Sequence, residues 1–146
     1  MVEEKYYLNT NTLPTIPVPH DCIIKEIQLG NDSLVFIFED NISNNDSIKY
    51  IMPNAKSLIM KIHLVNDLSD ISLYMKTKPG KILHKSSIYK EIDLNKQCDK
   101  LLHFPDNRLE YMYHNIGYCS IIVQLWALNS IVMSITADYV EYDWNF

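Results

Sequence analysis

Apolar residues at every second position recur along most of this chain, and a period of two belongs to strands rather than helices. Residues 22–29 and 34–39 read as two strands joined by Gly30-Asn31-Asp32, where Gly and Asn suit the positive φ of a tight connection. Residues 57–65 alternate cleanly, with Leu58, Met60, Ile62 and Leu64 inward and Ser57, Lys61 and His63 outward. Residues 71–78 repeat the pattern with Ile71, Leu73 and Met75 inward. Residues 48–52 predict a short strand stopped by Pro53, and residues 81–92 a less regular extended segment. In residues 108–115, Leu109, Tyr111 and Tyr113 share one side. Between 119 and 128 the odd positions Cys119, Ile121, Val123, Leu125 and Ala127 form an unbroken apolar face. The other face still carries Ile122, Trp126 and Leu128, which predicts a strand covered on both sides at the centre of the sheet.

The last strand, residues 131–144, changes phase. Ile131, Met133, Ile135, Ala137 and Tyr139 are apolar at odd positions, whereas Val140, Tyr142 and Trp144 are apolar at even ones. A one-residue slip reverses the face of a strand, so a bulge or bend is expected near Asp138. One segment has helical spacing: Asp93 can cap Leu94, Gln97, Cys98, Leu101 and Leu102, with Pro105 beyond, giving one helix near 94–103. Pro14, Pro17 and Pro19 make residues 1–20 an extended N-terminal arm. No repeat or linker divides residues 1–146, so a single domain is expected. The predicted class is α+β, mainly antiparallel β-sheet with that one helix on or beside it. A β-sandwich or a partly open barrel is the alternative.

With 146 residues, 47% of them hydrophobic, the chain can build a core without disulfides. Cys22, Cys98 and Cys119 are scattered and odd in number, which fits reduced thiols, Cys98 and Cys119 reading as small core residues. No apolar run approaches the roughly 20 residues needed to cross a bilayer. Acidic Glu3 and Glu4 stand where a secretion signal needs bases, so a cytoplasmic location is expected. The abundance of Ile, Asn, Lys and Tyr, residues of A/T-rich codons, points to a bacterial or phage genome.

The net charge of -5 is unevenly spread. Residues 1–50 hold three Lys against eight acids, and residues 51–100 nine Lys against five acids. Arg108 is the sole arginine. Nucleic-acid affinity comes largely from neutralising phosphates, and arginine is the favoured reader of bases, so this composition argues against a nucleic-acid partner.

Candidate chemistry is sparse. His20, His63, His84, His103 and His114 show no metal-ligand spacing, and His63 and His114 fall on the more polar faces of their strands as ordinary surface histidines. No visible feature activates a cysteine towards a histidine. The three glycines, Gly30, Gly80 and Gly117, lie too far apart for a phosphate loop. No catalytic residue, metal ligand or cofactor is therefore expected. What remains is a bias of tyrosine beside acids: Tyr111 next to Glu110, and Tyr139 and Tyr142 flanking Glu141. With a phase change at Asp138, Val140, Tyr142 and Trp144 turn inward, while Tyr139, Glu141 and Asp143 face outward together. That arrangement suits a lysine- or arginine-rich protein surface through hydrogen bonds and cation–π contact.

The opening Pro19-His20-Asp21-Cys22-Ile23-Ile24-Lys25-Glu26-Ile27, the following Leu34-Val35-Phe36-Ile37-Phe38-Glu39-Asp40 and the ending Tyr139-Val140-Glu141-Tyr142-Asp143-Trp144-Asn145 resemble a small group of uncharacterised bacterial proteins. These in turn are similar to the immunity proteins that accompany polymorphic toxins. The resemblance covers the two ends of the chain. It implies an acidic cytosolic binder that blocks a toxin, with no catalytic residues to carry over. The expectation is thus a non-enzymatic module that binds a basic protein through Tyr139, Glu141 and Asp143. The alternative is a small-ligand-binding or structural β-rich subunit of phage origin, marked by a deep apolar pocket.

Overall fold

The computed structural model describes residues 1–76, 89–93, 108–127 and 129–146. Among these residues run nine strands: β1 (Val2–Tyr7), β2 (Cys22–Leu29), β3 (Ser33–Phe38), β4 (Ser57–Leu64), β5 (Ile71–Lys76), β6 (Tyr89–Ile92), β7 (Glu110–Gly117), β8 (Ser120–Trp126) and β9 (Ser130–Asn145). Their pairings are antiparallel, as the alternating pattern predicts. The helix expected near 94–103 lies outside the described residues. The helix that is described, α1 (Asp46–Lys49), is a single turn.

Neighbouring strands follow the order β4-β3-β2-β7-β8-β9, and β9 also pairs with β4, so six strands close a ring. The long β9 makes this possible by serving two sets of neighbours. Its first half pairs with β8 over Ser130–Thr136 and with β5 over Ile131–Ile135. Its second half pairs with β4 from Ala137 to Asn145 and with β1 from Tyr139 to Trp144. The handover is a bulge at Asp138: His63 pairs with Tyr139, but Leu64 pairs with Ala137. The peptide oxygen of Asp138 there accepts from the Leu8 amide at 2.8 Å. Val140, Tyr142 and Trp144 are fully buried after the bulge, and Ile131, Met133, Ile135 and Ala137 before it. The expected phase change is present.

The ring interior is filled by one apolar cluster in which Phe36, Phe38, Leu58, Met60, Tyr111, Tyr142 and Trp144 are the large members. The aromatic rings meet edge to face. Tyr142 lies 5.5 Å from Tyr6 and 5.7 Å from Trp144, and Tyr111 lies 6.0 Å from Phe36 and 5.8 Å from Phe38. Such pairs contribute about 0.5–1.5 kcal/mol each beyond the area they bury. Two buried polar tips also bind the segment after β1. The Tyr142 hydroxyl donates to the Pro17 carbonyl at 2.5 Å, and His114 Nε2 lies 3.0 Å from the Ile16 carbonyl.

Several local expectations change. Residues 1–20, read as an arm, begin with β1 laid along β9, and Leu8 and Ile16 enter the core. Their prolines mark only the stretch after the strand. Residues 48–52 are not a strand: Ile48 is buried from the one-turn helix, with Asp46 at its positive end, while Tyr50 is exposed. In β7 a bulge between Tyr111 and Tyr113 puts Tyr113 outward and His114 inward, reversing the alternation expected for both. Cys119 is no strand residue but sits in the β7–β8 turn with φ 49°, half-buried. On the face of β8 opposite the core Ile122 and Trp126 are partly open, 37% and 47% exposed, so among the described residues no second layer buries this side. Finally, no described glycine has positive φ. Gly30 instead leaves room for Ser33: a Cβ there would stand 2.5 Å from Ser33 Oγ, which would have to move aside.

Candidate functional site

The three residues predicted to face outward together share the outward side of the second half of β9, half-buried between flanking strands that extend them into rungs, with the Glu141 side chain only 15% exposed. Tyr139 lies between Tyr7 of β1 and His63 of β4, Glu141 between Lys5 and Lys61, and Asp143 between Glu3 and Ile59. Directly paired residues of an antiparallel sheet share a face with Cβ atoms about 4.5–5.5 Å apart, so these rungs form one continuous outward surface. Glu3, Lys5, Tyr7, Lys61 and His63 therefore belong to the site but were not recognised in the sequence. The signal in β1 is incomplete, since Glu3, Lys5 and Tyr7 alternate with Val2 and Tyr6 but the charged Glu4 interrupts that second side. The nearby prolines concealed it.

Acidic oxygens converge at one end. One carboxylate oxygen from each of Glu3, Glu141 and Asp143 lies within 4.8 Å of the others. Partial burial, followed by repulsion from Glu141 and Glu3, pushes the Asp143 carboxyl above its ordinary value. Cations offset part of this charge. Lys5 Nζ stands 3.2 Å from Glu3 Oε1, and that hydrogen bond and the charge of Glu3 raise the pKa of the amine. Lys61 lies across from Glu141 on the other side. The surface is thus less uniformly acidic than the sequence of β9 suggests, and its uncompensated charge sits around Asp143.

The other end is aromatic. The His63 ring stacks on Tyr139 at 3.9 Å and 16°, and Tyr7 packs on the same tyrosine at 5.4 Å. Burial, then the charge of Lys61, holds His63 below its usual pKa, with Glu141 opposing. The 3.4 Å approach of His63 Nε2 to Glu141 is accordingly a polar contact of a mainly neutral ring at pH 7, too poorly aligned to count as a hydrogen bond. His63 is not the ordinary surface histidine expected. Its side chain is 18% exposed.

His114 departs further from expectation, being buried between Tyr111 and Ile16. A carbonyl can only accept, so Nε2 carries the proton that it donates to Ile16, and Nδ1 accepts from the Tyr111 hydroxyl at 2.6 Å. Burial lowers its pKa, in keeping with a neutral ring. This is a structural clamp on residues 14–18. It also borders a cavity of about 380 Å³ lined by Pro14, Ile16, Val18, Tyr113, Asn115 and Ile116.

A second cavity, about 320 Å³, is polar, with Asp21, Glu39, Asp40, Asn41 and Arg108 in its wall. Arg108 pairs with Glu39 at 2.8 Å there, and Asp21 and Asn41 both adopt left-handed backbone. Cys22 reaches this cavity, but burial pushes its thiol up to about 11, so it is a poor nucleophile. Its sulfur lies 3.9 Å from the Ser47 hydroxyl. Asp21 in the wall of the polar cavity stands 3.6 Å from His20 Nδ1, an exposed contact just beyond hydrogen-bond length. The described helices include none long and apolar enough to cross a membrane. No family model, curated protein or solved structure matches the chain.

Proposed function

We propose that this protein is a non-enzymatic binding module that captures a basic protein through the outward face of β1, β9 and β4. The immunity protein of a cationic toxin is the form of this reading that the sequence resemblance favours. The observation that carries it is the convergence of Glu3, Glu141 and Asp143 beside the Tyr7–Tyr139–His63 stack. Carboxylates that already repel one another gain when an ammonium or guanidinium group enters between them, and the adjacent rings offer rigid contact area. Long-range attraction between an acidic chain and a basic partner would mainly accelerate encounter.

The test uses the product of the gene adjacent to the one for this chain. A basic toxin that forms a complex supports the reading, and Glu141→Lys with Asp143→Lys should then slow association by about 10-fold or more at low salt. A neighbour that does not bind, or an unchanged association rate, counts against it.

A small-ligand reading rests on the cavity of about 380 Å³, whose mixed wall of Pro14, Ile16, Val18 and Ile116 with Thr15, Tyr113, His114 and Asn115 fits a compact guest that is part apolar and part polar. Tyr113→Trp, which enlarges one of the lining side chains, should weaken such binding without affecting a partner on the β9 face.

A further inference from the structure

The surface outside β7, β8, the first half of β9 and β5 lacks charge over a broad area. Its rungs are Tyr113–Gln124–Val132–Tyr74 and Asn115–Ile122–Ser134–Ser72, followed by the pair Ser120–Thr136 towards one end and Trp126–Ser130 towards the other. Among the described residues, charges appear only at its margin, as Glu110, Lys76 and Glu91. In a chain that is 21% charged, twelve adjoining outward positions without one are unusual, because solvent-facing strand positions commonly carry charges that block association. Three large side chains are open within this area: Tyr113 is 50% exposed, Trp126 47% and Ile122 37%. Tryptophan and tyrosine are the residues that most often anchor interfaces.

We infer that this neutral face is a self-association surface, occupied by the same face of a second copy. Charge selects the occupant. Two copies each carrying -5 repel at a distance, and this is a place where they can touch without setting like charges opposite each other. The polar groups are also self-complementary. Gln124, Asn115, Ser72 and Ser134 each hold both a donor and an acceptor, so whichever of them meet across a two-fold axis can pair in either sense. Four strands at about 4.8 Å spacing give a patch on the order of 500 Å² per copy, or about 1,000 Å² in all, the lower limit for a specific interface. The dimer is consequently weak and depends on concentration.

Sedimentation velocity from about 1 µM to about 300 µM spans the range in which an interface of that size should assemble. The expected result is a monomer at the low end and a dimer at the high end, strengthened rather than weakened by added salt, which screens the repulsion between the copies. Trp126→Glu and Ile122→Glu should each shift the midpoint upward at least about 10-fold, because each places like charges across the axis. Gln124→Glu, a near-isosteric change at an exposed position, makes the same test with little risk to folding, and circular dichroism verifies each variant. A monomer throughout the range overturns the inference. So does a dimer that all three substitutions leave intact, or one that high salt dissolves. None of these outcomes bears on capture of a basic partner, which uses the opposite end of β9.

Discussion

On its outward side, the second half of β9 carries Tyr139, Glu141 and Asp143, whereas the first half carries Ser130, Val132, Ser134 and Thr136. Both halves bury their inward residues to a similar degree. The inward side must satisfy packing alone, so it is apolar throughout. The outward side is free to differ, and it does so on neighbouring strands as well. Lys5, Glu3, Lys61 and His63 continue the charged half, while Gln124, Ile122, Tyr74 and Tyr113 continue the neutral one. The bulge at Asp138 marks the boundary between two surfaces on one strand.

The two tryptophans give the largest contrast. Trp144 is fully buried in the charged half, and Trp126 is half-open over the neutral one. Trp144→Ala should cost about 3–5 kcal/mol, since it removes a large ring from a packed cluster. Trp126→Ala should change the stability of the monomer by only about 0.5 kcal/mol. Urea titrations of both variants check this, and similar losses would show that the neutral face is held under other parts of the molecule.

The histidines sharpen the comparison through pH. His63 and His114 have folded pKa values lowered by burial, so the unfolded chain binds more protons in the window below its own value of about 6.5. Their contribution to stability is fully present above that value and is lost as the pH falls through the window towards the folded values. His114→Gln should flatten the dependence between about pH 7 and pH 5 more than His63→Gln, because His114 is the more deeply buried and would lose its acceptor role towards Tyr111. Denaturation at the two pH values gives the slopes. A steeper dependence on His63 would relocate the sensitive group to the charged face.

A smaller effect is expected for Gly30→Ala, whose added Cβ presses on the Ser33 hydroxyl of the β2–β3 connection. The loss should be about 1 kcal/mol, since a side-chain oxygen can move aside, and Ser33→Ala in the same chain should recover most of it. Absence of recovery would assign the requirement at Gly30 to backbone freedom instead.

Much of the sheet is legible in the sequence because one face of each strand is buried. The alternation of Leu58, Met60, Ile62 and Leu64 survives unchanged, and the reversal at Asp138 shows as a switch from odd to even apolar positions. Alternation fails where a bulge is masked by tyrosine, which suits both faces. Tyr111 and Tyr113 look equivalent in sequence but lie on opposite sides, and the same shift hides the burial of His114. It also fails at β8, where Ile122 and Trp126 suggest a second covering layer although they stand exposed. At the candidate site, Tyr139, Glu141 and Asp143 are readable as neighbours because they share a strand. Glu3, Lys5, Lys61 and His63 join them through pairings of β1 and β4 with β9, across separations that local pattern does not encode.

The proposed division between a charged face that takes a basic partner and a neutral one can be tested with a lysine homopeptide of about ten residues, a length that spans several strands, titrated into the isotope-labelled protein at low salt. Backbone amide shifts should concentrate at Glu3, Lys5, Tyr139, Glu141 and Asp143, disappear with Glu3→Gln and Asp143→Asn, and leave Tyr113, Ile122, Gln124 and Val132 unmoved. Shifts centred on Asp21, Glu39 and Asp40, or spread evenly over all exposed acids, would contradict the assignment of the β9 face.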